Sequence, residues 1–378
     1  MIPCHARWGY KEVLFFKTTL ESGRNKERNS MKTIWVNGVP INDPNRCYVV
    51  AEIGHNHQGD LKKAKEMFHV AKWCGVDAVK LQKRNNRKLY TRELYDAPYD
   101  HENSFGKTYG AHREALEFGR EEYLELQETA REIGITFFST AFDFESIDFL
   151  MDLDMPAFKI ASGDLKNTPL QKYMAEFGKP IFLSTGGGTL DDVKRAYDTI
   201  MPINPELCIM QCTASYPARV EDLNLRVLTL YKTLFPDAVI GLSDHQNGIA
   251  MAVVGYLLGA QVIEKHFTLN RASKGTDHAF SLEPVGMQKL VRDLHRVSLA
   301  LGSEEKAPLD CESKPLHKMG KKLVAAHPLK SGQVLGIEDV AIRSPGDGLP
   351  PFEMENVLGK RVIKDLEQDE NITFEILK

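Results

Sequence analysis

Two short runs, VIGLSDH from Val239 and VIEKHF from Val262, open with β-branched residues suited to a buried strand and close on ionisable side chains. A buried charge costs several kcal/mol unless it is paired or bound to a metal, so such endings are either surface accidents or parts of a site. Neighbouring strands lie about 5 Å apart, and His245 and His266 on adjacent strands can therefore share one ion. Asp277 and Glu52 would complete a mixed nitrogen and oxygen set, which suits a labile divalent ion such as Mn²⁺, Mg²⁺ or Fe²⁺. Spacing alone leaves the metal undecided. Lys80 and Lys159 project from otherwise apolar runs, where an ammonium is unfavourable without an anion. With the hydroxyls of Ser162, Ser184 and Ser243 they describe a pocket for phosphate or carboxylate. The glycine-rich loop Ser184-Thr185-Gly186-Gly187-Gly188 adds backbone N–H groups that can approach an anion. The competing reading is that each lysine pairs with a carboxylate such as Glu264.

These residues need elements to position them. From Tyr48 onward, eight β-rich runs alternate with amphipathic stretches such as DLKKAKEMFHVAKWCG from Asp60 and GREEYLELQETAREIG from Gly119. The runs are YVVAEIG, AVKLQK, ITFFSTAF, AFKIASG, PIFLSTGG, LCIMQCTA, VIGLSDH and VIEKHF. Eight even units predict a (β/α)8 barrel, an α/β fold, over an open doubly wound sheet, for which neither GxGxxG nor a P-loop speaks. In a barrel the active site lies at the C-terminal ends of the strands. Here the runs end, in order, at Glu52, Lys80 with Gln82, Thr140, Lys159 with Ser162 and Asp164, Ser184 with Thr185, Tyr216, Ser243 with Asp244 and His245, and Glu264 with His266. Glu264 and His266 share a face, whereas Lys265 points away and reads as structural. The connection from Arg84 to Phe118 is long enough to form a lid over that face. Residues 31–302 are expected to form the barrel, 303–319 a linker, and 320–378 a small second domain with strand-like runs KKLVAAH, QVLGIEDVAIR and ENITFEIL. Residues 1–30 read as an N-terminal extension.

Composition narrows the function. With 42% hydrophobic and 26% charged residues the chain has the make-up of a soluble globular protein, and no apolar run approaches the roughly 20 residues that span a membrane. A net charge of −4 argues against nucleic acid as a partner. The six cysteines show no CxxC pair or disulfide framework, as expected for reduced thiols in the cytoplasm.

The motifs AEIGHNHQGD, AVKLQK, SFGKTYGAHREALEF, FKIASGD, FLSTGG, QCTASYP, GLSDHQNGIA, EKHFTL and GTDHAFSLEP resemble, in the same order, those of the sialic acid (N-acetylneuraminate) synthase family. The tail from Gly320 resembles the antifreeze-like (SAF) domain that closes those enzymes. The resemblance covers about Met31 to Lys378. It implies a TIM barrel followed by an antifreeze-like domain, a domain-swapped homodimer, and condensation of phosphoenolpyruvate with N-acetylmannosamine or a related 2-acetamido sugar. It further implies that His245 and His266 bind the metal, manganese first, with magnesium or cobalt as alternatives. Lys80, Lys159, Ser162, Ser184 and Ser243 would hold phosphoenolpyruvate. Glu52, Asp164 and Glu264 would stand at the reacting centre, Tyr216 and Asp277 near the sugar, and Arg343 would reach the sugar in a partner's barrel. Two positions depart from the pattern: Ala214 stands where bacterial N-acetylmannosamine enzymes can carry Asn, and Asp164 where some members carry Glu. A 6-phosphorylated or deoxygenated acetamido sugar, giving a 9-phosphate, legionaminate or pseudaminate type of product, is the alternative acceptor. The more distant alternatives are a 3-deoxy sugar acid synthase using a phosphorylated aldose, a metal-dependent isomerase, and a non-catalytic carbohydrate-binding protein.

Overall fold

A computed structural model describes residues 32–41 and 46–378, so the extension expected at 1–30 lies outside the described residues. The chain divides into two compact units, with the boundary between Leu301 and Gly302. The expected barrel is present in the first. Its parallel strands are β3 (Tyr48–Gly54), β4 (Ala78–Lys83), β5 (Thr136–Ala141), β6 (Phe158–Ile160), β7 (Ile181–Ser184), β8 (Leu207–Cys212), β9 (Val239–Asp244) and β10 (Val262–His266). They close in chain order, with β10 returning to pair with β3. A hairpin that the sequence reading had not distinguished, β1 (Ile34–Val36) and β2 (Val39–Ile41), precedes them.

The period of two along a strand sorts the side chains. Outward-facing Val49, Ile53, Val79, Leu81, Leu183, Ile209, Leu242 and Ile263 join the core shared with the helices. Inward-facing Val50, Ala78, Phe138, Ala157, Phe182, Met210, Val239 and Val262 fill the lower half of the barrel, and Ile34, Val36 and Ile41 of the hairpin pack into the same cluster. Two residues further on, six of these eight inward positions turn polar: Val50 gives way to Glu52, Ala78 to Lys80, Phe138 to Thr140, Ala157 to Lys159, Phe182 to Ser184 and Val262 to Glu264. The barrel register places Glu52 beside Lys80, Thr140 beside Lys159, and Ser243 beside Glu264. An apolar plug therefore supports a polar layer held at one height.

The surrounding helices start and stop where their ends are satisfied. Leu61–Cys74 is capped by the Asp60 side chain and ended by left-handed Gly75. Arg120–Ile133 ends in the same way at Gly134, and Leu190–Ile200 opens with a Thr189–Asp192 capping box. The connection after β4 is built of three short helices, Asn86–Leu89, Arg92–Asp96 and Tyr109–Glu114. It is tied to the barrel at Gly59, whose φ of +75° and closeness to the Ala115 carbonyl, 2.3 Å from where a Cβ would stand, leave room for glycine alone.

The stretch 303–319, expected as a linker, instead winds into a 3-10 turn, Asp310–Glu312, and a helix, Ser313–Met319. Pro315 lies in the first turn of that helix, where no N–H is needed. The second unit carries one antiparallel pair, β11 (Lys322–Ala325) and β12 (Val340–Arg343), around its own core of Leu323, Leu329, Leu335, Val357, Val362 and Ile372. The expected strand ENITFEIL is corrected to isolated bridges at Asn371 and Leu377 flanking a 3-10 turn at Phe374–Ile376, because the two bridges are paired with Val324 and Val362 rather than with one continuous strand.

Candidate active site

The polar layer opens into a cavity of about 490 Å³ at the C-terminal end of the barrel. Its wall brings together eleven of the thirteen residues singled out from the sequence: Glu52, Lys80, Lys159, Ser162, Ser184, Tyr216, Ser243, His245, Glu264, His266 and Asp277. Asp164 does not join them. The 3-10 turn Ser162–Asp164 carries it off the wall, and its carboxylate accepts from Asn167 Nδ2 at 3.0 Å. Arg343 lies in the second unit, on β12, with its Nε 3.6 Å from Asp369 and more than half of its side chain exposed.

The two lysines differ. Lys80 Nζ lies 2.6 Å from Glu52 Oε2 and 3.7 Å from Glu264 Oε1, and it donates to Thr140 Oγ1 at 2.9 Å. The carboxylate-paired reading thus holds for Lys80. Lys159, 3% exposed, donates to Ser184 Oγ at 2.6 Å and to the Ile160 carbonyl at 3.1 Å. Burial pushes its ammonium below the usual lysine range. A buried cation satisfied only by a hydroxyl and a carbonyl is a strong seat for an anion. In the glycine loop, Gly186 N–H donates to Ser162 Oγ at 3.0 Å, so the loop's first effect is to fix that hydroxyl.

The paired carboxylates are driven apart. Burial pushes Glu52 above the ordinary glutamate range, with Lys80 opposing and Glu264 adding to the rise. Burial also acts on Glu264, but Lys80, Lys159 and the two imidazoles together hold it below that range. Neighbouring acids split in this way can divide proton holding and charge stabilisation between them. Gln82 donates to Glu52 Oε1 at 2.6 Å and orients it.

The rings of His245 and His266 stand 5.3 Å apart, centroid to centroid. His266 is kept neutral, its pKa brought down to about 3 by burial, and its Nδ1 is buried with no hydrogen-bond partner, 3.8 Å from Asp277 Oδ2. His245 Nδ1 lies 2.8 Å from the Thr213 carbonyl, which places the proton there and turns the Nε2 lone pair free. Burial lowers the His245 pKa, but Cys212, the Thr213 carbonyl and Glu264 together raise it above the ordinary value, a surrounding that attracts positive charge. An orphaned ring nitrogen, a second oriented imidazole and flanking carboxylates fit a divalent cation. Among the described residues no set of three His, Cys, Asp or Glu side chains already forms a ligand cage. Lys265 points outward as expected and is buried in an ion pair with Asp244 at 2.9 Å.

The strand-end reasoning missed His55, Arg84 and Arg113, which also line the cavity. His55 follows the end of β3 and Arg113 sits on a short helix, where strand period gives no signal, whereas Arg84 stands one residue past β4 in the register of Lys80 and Gln82. The sequence traces were the polar, aromatic character of the long connection and the motifs AEIGHNHQGD and SFGKTYGAHREALEF, which contain His55 and Arg113.

The NeuB family model matches residues 67–306, and the SAF domain model matches residues 322–377. The human N-acetylneuraminate-9-phosphate synthase is 41% identical over 344 residues, covering 91% of this chain and 94% of its own length. The N,N'-diacetyllegionaminic acid synthase of Legionella pneumophila is 35% identical, covering 93% and 99%. Among solved structures, the N-acetylneuraminic acid synthetase of Leptospira borgpetersenii, crystallised with citrate, superposes with a TM-score of 0.66 at 29% identity, covering 75% of this chain and 95% of that one.

Proposed function

The chain belongs to the NeuB family, and on that footing we propose that it condenses phosphoenolpyruvate with N-acetylmannosamine or a related 2-acetamido sugar, and water, to give a nonulosonic acid and phosphate. The observation that carries this reading is Lys159, a buried ammonium with no carboxylate within 4.0 Å, held by the Ser184 hydroxyl on the wall of a cavity that Ser162 and Ser243 also line. A divalent cation seated on His245 and His266 would supply Lewis acidity to the carbonyl oxygen of the open-chain sugar. Manganese suits two imidazoles beside carboxylates, with magnesium or cobalt as substitutes.

The side chains account for the remaining steps. Lys159, Lys80 and the serines hold the phosphate and offset its charge throughout. C3 of phosphoenolpyruvate forms the new carbon–carbon bond to the aldehyde carbon, whose oxygen gains a proton. Water bonds to C2, and Glu52, the acid whose environment favours holding a proton, manages the proton it gives up. The C2–O bond then breaks, and phosphate departs with the bridging oxygen and the electron pair, leaving a ketone. Glu264, held ionised, stabilises the positive charge that develops at C2. Labelling the bridging oxygen of phosphoenolpyruvate with ¹⁸O tests the scheme by mass spectrometry. The label should appear in inorganic phosphate, and its retention in the keto acid would overturn the C–O cleavage.

We also propose a homodimer in which Arg343 of one copy contacts the sugar in the barrel of the other. Its exposed side chain in a small separate unit supports this. Mixing inactive K159M and R343A chains should then restore about one quarter of wild-type activity, because half the dimers carry one intact composite site. No recovery after mixing and refolding would place Arg343 in its own chain's site or outside it. The unpaired thiols of the five described cysteines favour a cytoplasmic setting, and no helix among the described residues is long and apolar enough to cross a membrane.

A further inference from the structure

The connection after β4 brings to the cavity two arginines that the condensation as written does not use. Arg84 is buried, its guanidinium 3.8 Å from the centre of the Phe142 ring. Its Nη1 lies 2.9 Å from Nε2 of His55, and its Nη2 donates to Gln82 Oε1 at 2.6 Å. Arg113, on helix Tyr109–Glu114, brings its Nη1 to 3.3 Å from Nδ1 of the same imidazole. A neutral imidazole offers one acceptor nitrogen, and a protonated one offers none. One guanidinium therefore always faces an N–H. Burial and both arginines hold the His55 pKa well below its usual value, so the ring is neutral and one of its two nitrogens accepts.

The charges around it do not balance either. Lys83, Arg84 and Arg113 have one carboxylate among them, Glu117, at 3.3 Å from Lys83 and 3.8 Å from Arg84. Among the described residues no carboxylate lies within 4.0 Å of the Arg113 guanidinium. Its Nε and Nη2, the fork that matches a carboxylate or phosphate, both close on the single hydroxyl oxygen of Tyr109, at 3.1 and 2.9 Å. Arg84 follows Lys80 by four residues, about 13 Å of extended chain, so this pair stands toward the mouth while the lysines stand at the floor. Gln82 and Glu52 stand between Arg84 and Lys80, through contacts of 2.6 Å each, so two side chains separate the arginines from the lysine floor.

We propose that Arg84 and Arg113, bracketing His55, form a second anion site that takes the phosphate of a phosphorylated acetamido sugar. The inference rests on the synthase reading above and names its acceptor. The sugar phosphate binds at the mouth, phosphoenolpyruvate at the floor, and the acceptor's phosphate is carried unchanged into the product while the phosphate released comes from phosphoenolpyruvate.

The test is steady-state phosphate release by wild type, R113M, R113K and R84M with N-acetylmannosamine and with its 6-phosphate. Wild type should favour the 6-phosphate. R113M should raise the KM for the sugar phosphate by about 30-fold or more, the loss of a charge-assisted two-pronged contact, and leave the KM for phosphoenolpyruvate nearly unchanged. R113K should recover part of the loss, which a merely structural role would not predict. An equal rise in the KM for phosphoenolpyruvate would assign the pair to that substrate's carboxylate and overturn the inference. A wild type that prefers the free sugar would overturn it while leaving the synthase reading in place. Absence of release with either acceptor and with every other acetamido sugar and sugar phosphate tried would remove both.

Discussion

Replacing Lys159 with methionine is expected to lower kcat/KM for phosphoenolpyruvate by more than ~10³-fold, because the removed charge faces the transferring phosphate in a site with little water. The same substitution should raise the midpoint of thermal unfolding. In the folded chain this ammonium is 3% exposed and donates to a serine hydroxyl and a backbone carbonyl, with no carboxylate within 4.0 Å and only the more distant Glu264 and Glu52 to offset its desolvation in part. Methionine has similar length and no charge to bury, so the fold should gain about 1–3 kcal/mol. Lys80 provides the contrast. Its removal would leave Glu52 buried and unpaired, so K80M should lose activity and also about 3–5 kcal/mol of stability. Kinetics and thermal melts of both variants decide the matter. A K159M protein that stays active, or that melts well below wild type, would mean that Lys159 is structural and that the phosphate lies elsewhere.

Stripping divalent ions is expected to reduce phosphate release by more than about 100-fold, with Mn²⁺ restoring it in wild type and failing to do so in H266A. The argument is the unsatisfied Nδ1 of His266 beside the oriented His245 ring, an arrangement that costs stability when empty and is relieved by a cation. Electron paramagnetic resonance titration gives a readout independent of turnover: wild type should bind one Mn²⁺ per chain, and H266A should bind it at least tenfold more weakly. Full activity in protein shown by elemental analysis to be metal-free would sink the two-histidine seat.

Much of this site was legible because a strand repeats every two residues. Once Val262 faces inward, Glu264 and His266 must as well, and Lys265 must face out, as its pairing with Asp244 bears out. The same rule took Ala78 to Lys80 and Phe182 to Ser184. Counting eight such runs gave the barrel, and the barrel gave the end at which the polar residues gather. Helix ends were legible for a similar local reason, since Asp60, Thr189, Gly75 and Gly134 act within one turn of themselves.

What one strand or one turn dictates, the amino-acid order determined by itself: the barrel, its polar rim and the residues of the floor. Tertiary structure decided whatever depends on groups far apart in the chain. It paired Lys80 with Glu52 and left Lys159 without a carboxylate, although both lysines sit in similar apolar runs. It carried Asp164 off the wall, folded the hairpin at Ile34–Ile41 into the barrel's lower core, and set Arg84 and Arg113 against one imidazole, 29 and 58 residues before them in the chain. Short-range periodicity records which face a side chain occupies. Which charge it meets there depends on where the whole chain has closed.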